Sequence, residues 1–271
     1  MGELNNNQLN EDEFFEDNEL SHTNKIVGLF SEPSKTFRKI AQTPSKIIDW
    51  LVPLLVFIIV SSISIIVMQT NPQIKYSSME KQTVAIEKKL DVIVESGQIT
   101  REQADIQLEM IRKRMEDGGL TILIPQIIGF VFFTSISFFI ISGFFLLISK
   151  FVLKSDGQYG DSLVAYGLPF YILVLQVILQ LVIAMLMSKM ITDLSVTTFL
   201  DLDKTKFIGF LLSKLDLFSI WFYVVVGIAF SKMFRSENTL KYIGIIVCLW
   251  LGISFLSFFL SNEIPFLSFL K

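Results

Sequence analysis

Four stretches of the chain run for 18 residues or more without a charged side chain: Leu51–Met68, Leu120–Ser149, Ser162–Met187 and Tyr242–Leu260. An α-helix rises 1.5 Å per residue, so 18 residues give roughly 27 Å, against a hydrocarbon core of about 30 Å. A fifth run, Leu217–Phe230, is uncharged for 14 residues. With Asp216 and Ser231 added at its boundaries it reaches roughly 24 Å of helix. These lengths predict an all-α, polytopic membrane protein with five transmembrane helices. Composition agrees: apolar residues are 52% of the chain, 26 residues are Phe, and the mean hydropathy is +0.58.

The stretch Lys206–Phe234 organises this reading. Lys214 and Asp216 belong at a membrane interface, with Phe207–Leu212 lying along it. The two charges are two residues apart and cannot face each other on a helix, so they are not an intramembrane pair. Asp216 instead suits the first turn of the fourth span, where an acid complements the helix dipole.

Taken in order, residues 1–24 hold seven acids and no Lys or Arg. Such a segment cannot bury enough surface to offset its ordering entropy, so it reads as a disordered acidic tail, with His22 as a solvated residue. It has neither a basic start nor an apolar run and is not expected to act as a cleavable signal. Residues 25–47 form a juxtamembrane segment in which Ser31–Ala41 is expected to be helical, with Pro33 in its first turn. Lys35, Arg38 and Lys39 fall on one face and Phe37, Ile40 and Ala41 on the other, the pattern of an amphipathic helix in contact with a membrane surface.

The membrane domain covers 48–262 and is entered through Asp49-Trp50. Residues 72–118 interrupt it as an inserted hydrophilic segment. Met79, Ile86, Leu90 and Ile93 recur at helical spacing, as do Ala104, Leu108, Ile111 and Met115. Gly97 can end the first helix, and Thr100 with Gln103 makes a capping box for the second. This predicts an extracytoplasmic helical hairpin between the first and second spans. Leu120–Ser149 would be about 45 Å as one helix, so a single tilted span is expected.

Inside the third span Gln176 and Gln180 lie one turn apart, and Gln126 stands in the second. Buried amides in a bilayer either hydrogen-bond between helices or line a polar path. In the fifth span Gly244, Cys248 and Gly252 recur every four residues, a small-residue stripe suited to close helix packing. Residues 263–271 are a short tail.

Orientation follows from Lys and Arg in the short flanks. With the N-terminus inside, interior flanks carry Lys25, Lys35, Arg38, Lys39, Lys46, Lys150, Lys154, Lys232, Arg235 and Lys241, ten in all. Exterior flanks carry five: Lys189, Lys204, Lys206, Lys214 and Lys271. A cytoplasmic N-terminus and an external C-terminus are expected.

Three stretches in order resemble the prokaryotic branch of the Yip-type family of multi-pass membrane proteins. They are Phe30-Ser-Glu-Pro33-Ser-Lys-Thr-Phe37-Arg-Lys-Ile40 before the first span, Tyr166-Gly167-Leu-Pro169 at the third, and Leu215-Asp216-Leu217-Phe218-Ser219-Ile220-Trp221 at the fourth. The resemblance covers residues 25–262 and implies a five-span, non-enzymatic membrane module in a bacterial cytoplasmic membrane. Eukaryotic relatives contact Ypt/Rab GTPases and one another. The Asp-Leu-Tyr-Gly-Pro element that those relatives carry before their first span is lacking here.

One cysteine excludes an internal disulfide, and one histidine excludes a multi-histidine metal site. No His-Glu-x-x-His, Gly-x-Ser-x-Gly or Gly-x-x-x-x-Gly-Lys motif occurs. No acid lies at the centre of any span. An enzyme, a cofactor and a nucleic-acid partner are therefore not expected. The expectation is a scaffold or assembly factor that acts through protein partners or as a homo-oligomer in the lipid bilayer. The alternative is a small-solute or lipid transporter with Gln126, Gln176 and Gln180 along its path.

Overall fold

The computed structural model describes residues 19–117, 119–200 and 202–263. The described residues form twelve helices and no strand beyond a single antiparallel bridge between Ser195 and Asp216. The acidic run before Glu19 and the stretch after Glu263 lie outside the described residues.

The helices are α1 His22–Ser31, α2 Pro33–Ile40, α3 Ile48–Thr70, α4 Pro72–Glu95, α5 Arg101–Asp117 and α6 Gly119–Phe151. They continue as α7 Tyr159–Gly167, α8 Phe170–Met187, α9 Val196–Leu200, α10 Phe207–Ser213, α11 Leu217–Met233 and α12 Thr239–Glu263. Four segments are long and apolar enough to cross a membrane: Ile48–Thr70, Leu123–Phe151, Tyr159–Met187 and Thr239–Ser261. Helix α11, with 17 residues, is apolar but shorter. The long second run is one continuous helix, with Pro125 inside it.

The chain divides into two units. The first comprises Met1–Phe57, Ser137–Leu173 and Ser195–Lys271, and the second Ile58–Ile136 and Val174–Leu194. Helix α11 is the centre of the first unit. Val225, Val226, Ala229 and Phe230 on it are fully buried, and it packs against α2, α7 and α12. It starts where Asp216 accepts hydrogen bonds from the Phe218 and Ser219 backbone N–H groups, 2.9 and 3.4 Å away. The cap expected of Asp216 is therefore present. Around α11 the aromatic side chains make a ring-to-ring network. Phe138 contacts Trp50, Tyr166 and Phe170, while Phe222 contacts Tyr166 and Phe170, all with centroids under 6 Å apart.

The second unit contains the α4–α5 pair. Asn71 starts α4 by accepting from the Gln73 and Ile74 N–H groups, with Pro72 at the first helical position, where its missing N–H is not needed. Gly97 takes a positive φ of 75°, which permits the reversal that ends α4. The capping box is formed: Thr100 N–H donates to Gln103 Oε1 at 2.9 Å, and Gln103 N–H donates to Thr100 Oγ1 at 3.2 Å. The seam between the arms buries Leu90, Ala104 and Met115, three of the residues whose spacing marked it. A small core of Ile74, Ala184 and Ile191 ties the start of α4 to the end of α8 and the chain beyond it.

Candidate juxtamembrane site

A buried polar cluster joins three elements of the first unit. Lys25 Nζ, from α1, donates to Asp49 Oδ2 at 2.7 Å, and both residues are almost wholly buried. His22, one turn earlier on α1, places Nε2 2.8 Å from the Tyr171 hydroxyl on α8. Its Nδ1 lies 3.6 Å from Asp49 Oδ1, too far for a hydrogen bond, and neither of those two atoms has a hydrogen-bond partner among the described residues. Asp49 stands in the first turn of α3, where its charge also complements the helix dipole. A carboxylate at this depth needs a cation, and Lys25 supplies it.

His22 and Lys25 thus differ from their sequence readings. His22 belongs to a helix rather than to a solvated tail, and Lys25 is a buried ion-pair partner rather than a free basic flank. Two weaker ties support the same arrangement. Lys46 pairs with Glu19 at 2.5 Å, and Ser45 Oγ donates to Asp161 Oδ1 at 2.5 Å. The Lys46 hydrogen bond holds the Glu19 carboxyl below the usual carboxylate range.

Helix α2 has Pro33 in its first turn as expected, but it begins at Pro33 rather than at Ser31, which ends α1. Its apolar face, however, is covered by protein: Phe37 and Ile40 are buried, and the helix packs against α1 and α11. An apolar face already covered by α11 cannot also lie in lipid. The basic side remains exposed at Lys35, Arg38 and Lys39, and Lys35 forms a surface pair with Glu32 at 3.0 Å.

The other residues singled out by sequence lie apart from this cluster. Gly244 and Gly252 have no atom within 4 Å of an added Cβ, and Cys248 is exposed, so among the described residues the stripe makes no close helix contact. The close approach between α11 and α12 falls at Gly227, where a Cβ would come 2.6 Å from Ile243 Cα. Gln126 borders a cavity of about 110 Å³ together with Gln69, Ser78 and Gln82. Gln176 is buried, and Gln180 Nε2 donates to the Thr192 carbonyl at 3.4 Å, tying α8 to the chain that follows it. Neither of these two glutamines borders the cavity at Gln126. Among the described residues no group of three His, Cys, Asp or Glu could hold a metal ion.

An all-helical chain with four helices long and apolar enough to cross a membrane is an integral, multi-pass membrane protein. The family model of the Yip1 domain matches residues 27–260, and the chain belongs to that family, whose members are in general non-catalytic membrane proteins. No curated protein and no solved structure matches the chain.

Proposed function

We propose that this protein is a non-enzymatic membrane scaffold or assembly factor that works through protein partners, with the α4–α5 hairpin as its principal contact. The observation that carries this reading is the apolar surface the hairpin leaves outside its own seam. Tyr76, Val84 and Val92 on α4, and Ile106 and Met110 on α5, are 45–71% exposed. Two charged helices that only needed to pair with each other would place polar residues at these positions.

In this reading α11 is the fifth crossing, made possible at 17 residues because neighbouring helices bury one side of it. The N-terminus is cytoplasmic, the hairpin and C-terminus are outside, and the membrane is a bacterial cytoplasmic membrane. The segments 1–24, 25–47, 48–262 with its 72–118 insertion, and 263–271 act as tail, anchor, membrane domain and tail. Lys35, Arg38 and Lys39 face anionic headgroups. The Gly244, Cys248 and Gly252 stripe, uncovered among the described residues, is the face for a second copy. Transport along Gln126, Gln176 and Gln180 has less support, since the Gln180 amide serves the Thr192 carbonyl.

A photo-crosslinking side chain at Val92 or Ile106 tests the scaffold in intact membranes. A discrete adduct with one membrane or surface protein is expected from these sites and not from exposed Glu102. Adducts to lipid alone at all three sites would refute it.

A further inference from the structure

Helices α9 and α10, with the turn between them, carry the chain from Ser195 back to Asp216 inside the first unit. The excursion is closed at its base by the Ser195–Asp216 bridge, where Val196 N–H donates to the Leu215 carbonyl at 3.3 Å. At its far end Asp203 Oδ1 accepts from Thr205 N–H at 2.9 Å and from Thr205 Oγ1 at 2.7 Å. The turn folds back so closely onto α10 that a Cβ on Gly209 would strike the Asp203 carbonyl. The backbone is satisfied from within: the N–H groups of Thr198, Leu202, Lys206, Phe210 and Lys214 all donate to carbonyls of the same segment. Chain surrounded by hydrocarbon needs such closure, because no water is there to replace it.

The polarity of this element is inverted. Ser195 and Thr197 are buried, their hydroxyl oxygens 2.7 Å apart, while Phe199, Leu200, Phe207, Ile208, Leu215 and Leu217 are 49–74% exposed. A connection running through water would place them the other way round. Asp203, Lys204 and Lys206 are gathered in the turn, and Lys214 lies over the Phe210 ring at 4.8 Å. Depth is set by α12. Phe210 stacks on Phe258 with centroids 4.3 Å apart and meets Phe255 edge-on at 5.1 Å. Phe258 and Phe255 stand three and six residues before Ser261, where the crossing segment Thr239–Ser261 ends, so α10 lies roughly 5–9 Å below that end. Amphipathic helices in the plane of a membrane are buried about 5–10 Å into the boundary between headgroups and acyl chains.

We propose that α9 and α10 form a re-entrant element lying in one leaflet, its exposed apolar side covered by lipid acyl chains and its charged turn among the headgroups. Continuity with the outer face of α12, where Leu256 and Phe259 are 59% and 52% exposed at the same level, selects lipid over water as the cover. In the five-span topology a helix entered from below the interface has less than a full core to cross, in keeping with the 17 residues of α11. The inference rests on α12 as a crossing helix and is independent of the hairpin.

Spin labels on single cysteines test the element in the full chain, with Cys248 replaced by Ser and the protein in phosphatidylcholine liposomes. Labels replace Phe199, Ile208 and Leu215 on the exposed side, Thr205 in the turn and Leu256 on α12. Collisions with oxygen, which concentrates in lipid, are compared with collisions with a water-soluble nickel chelate. At Phe199, Ile208 and Leu215 oxygen should exceed the chelate, as at Leu256, and at Thr205 the ratio should reverse. Three sites on separate parts of the element keep the test decisive if one variant folds poorly. High chelate exposure at all three would make this an aqueous connection and overturn the proposal. Low exposure to both reagents would mean a protein cover, such as a second copy, and would overturn it equally. A chelate signature at Leu256 would take that end of α12 out of the lipid, and the proposal with it.

Discussion

Lys25 and Asp49 are 24 residues apart in sequence and meet at 2.7 Å inside the protein, so either one without the other leaves a buried charge uncompensated. Removing one partner of such a pair costs about 3–5 kcal/mol, whereas replacing both with apolar residues of similar size is often nearly neutral. K25M should therefore lower the thermal transition in nanodiscs sharply, and K25M/D49L should recover most of the loss. Equal losses in the two variants would mean that the pair is not an energetic unit. Glu19 gives a pH signature with the opposite position on the surface. Its carboxyl titrates lower in the folded chain than in the unfolded one, so its tie to Lys46 is fully present above the unfolded carboxylate pKa, about 4.3, and is lost as pH falls through the lower folded value. Proteolysis within α1 should be unchanged from neutrality to about pH 5 and rise only below that range. None of this cluster was legible in the sequence. The partner of His22 is 149 residues away, and an acidic flank is all that local composition displays.

Signals held in a few consecutive residues were readable at the level of the element. Pro33 at the start of α2, Gly97 at the end of α4 and the Thr100–Gln103 box act through backbone geometry within one turn, so their meaning travels with the sequence. Glycine packing does not. Gly244 and Gly252 have the spacing of a helix-packing stripe, but the rotation of α12 turns them away from α11, and Gly227 takes the close contact instead. G227A should push the two helix backbones apart and cost about 1–3 kcal/mol, read as a lower thermal transition. G244A and G252A should leave the monomer's transition unchanged. The reverse ranking would show that α11 and α12 pack through the other face. The amphipathic pattern of α2 was equally visible, though not what covers it. A sequence gives the width of an apolar face, while α11 and the bilayer are equivalent covers until the helices are assembled.

For the whole molecule, the all-helical membrane class was legible because charge-free length against bilayer thickness is a constraint no folding detail can undo. In the proposed five-span topology helix α11 is the marginal case, since at 17 residues it would cross only with shielding from its neighbours. With Cys248 replaced by Ser, single cysteines at Lys206 and Asn238 should label from opposite sides of sealed vesicles. Labelling from the same side would remove α11 from the spans and leave the four longer crossings. The hairpin can be tested without deleting it, which matters because removal of 72–118 would take Ile74 out of the small core it shares with Ala184 and Ile191. Charged substitutions at Val84, Val92, Ile106 and Met110 leave that core and the buried Leu90, Ala104 and Met115 seam in place. The decisive measurement is quantitative mass spectrometry of what accompanies the protein from native membranes into nanodiscs, for the natural chain and for the V84K/V92E/I106K/M110E variant. The scaffold account predicts a stoichiometric protein partner that the variant loses while its thermal transition is kept. An identical set of accompanying proteins for both would contradict it.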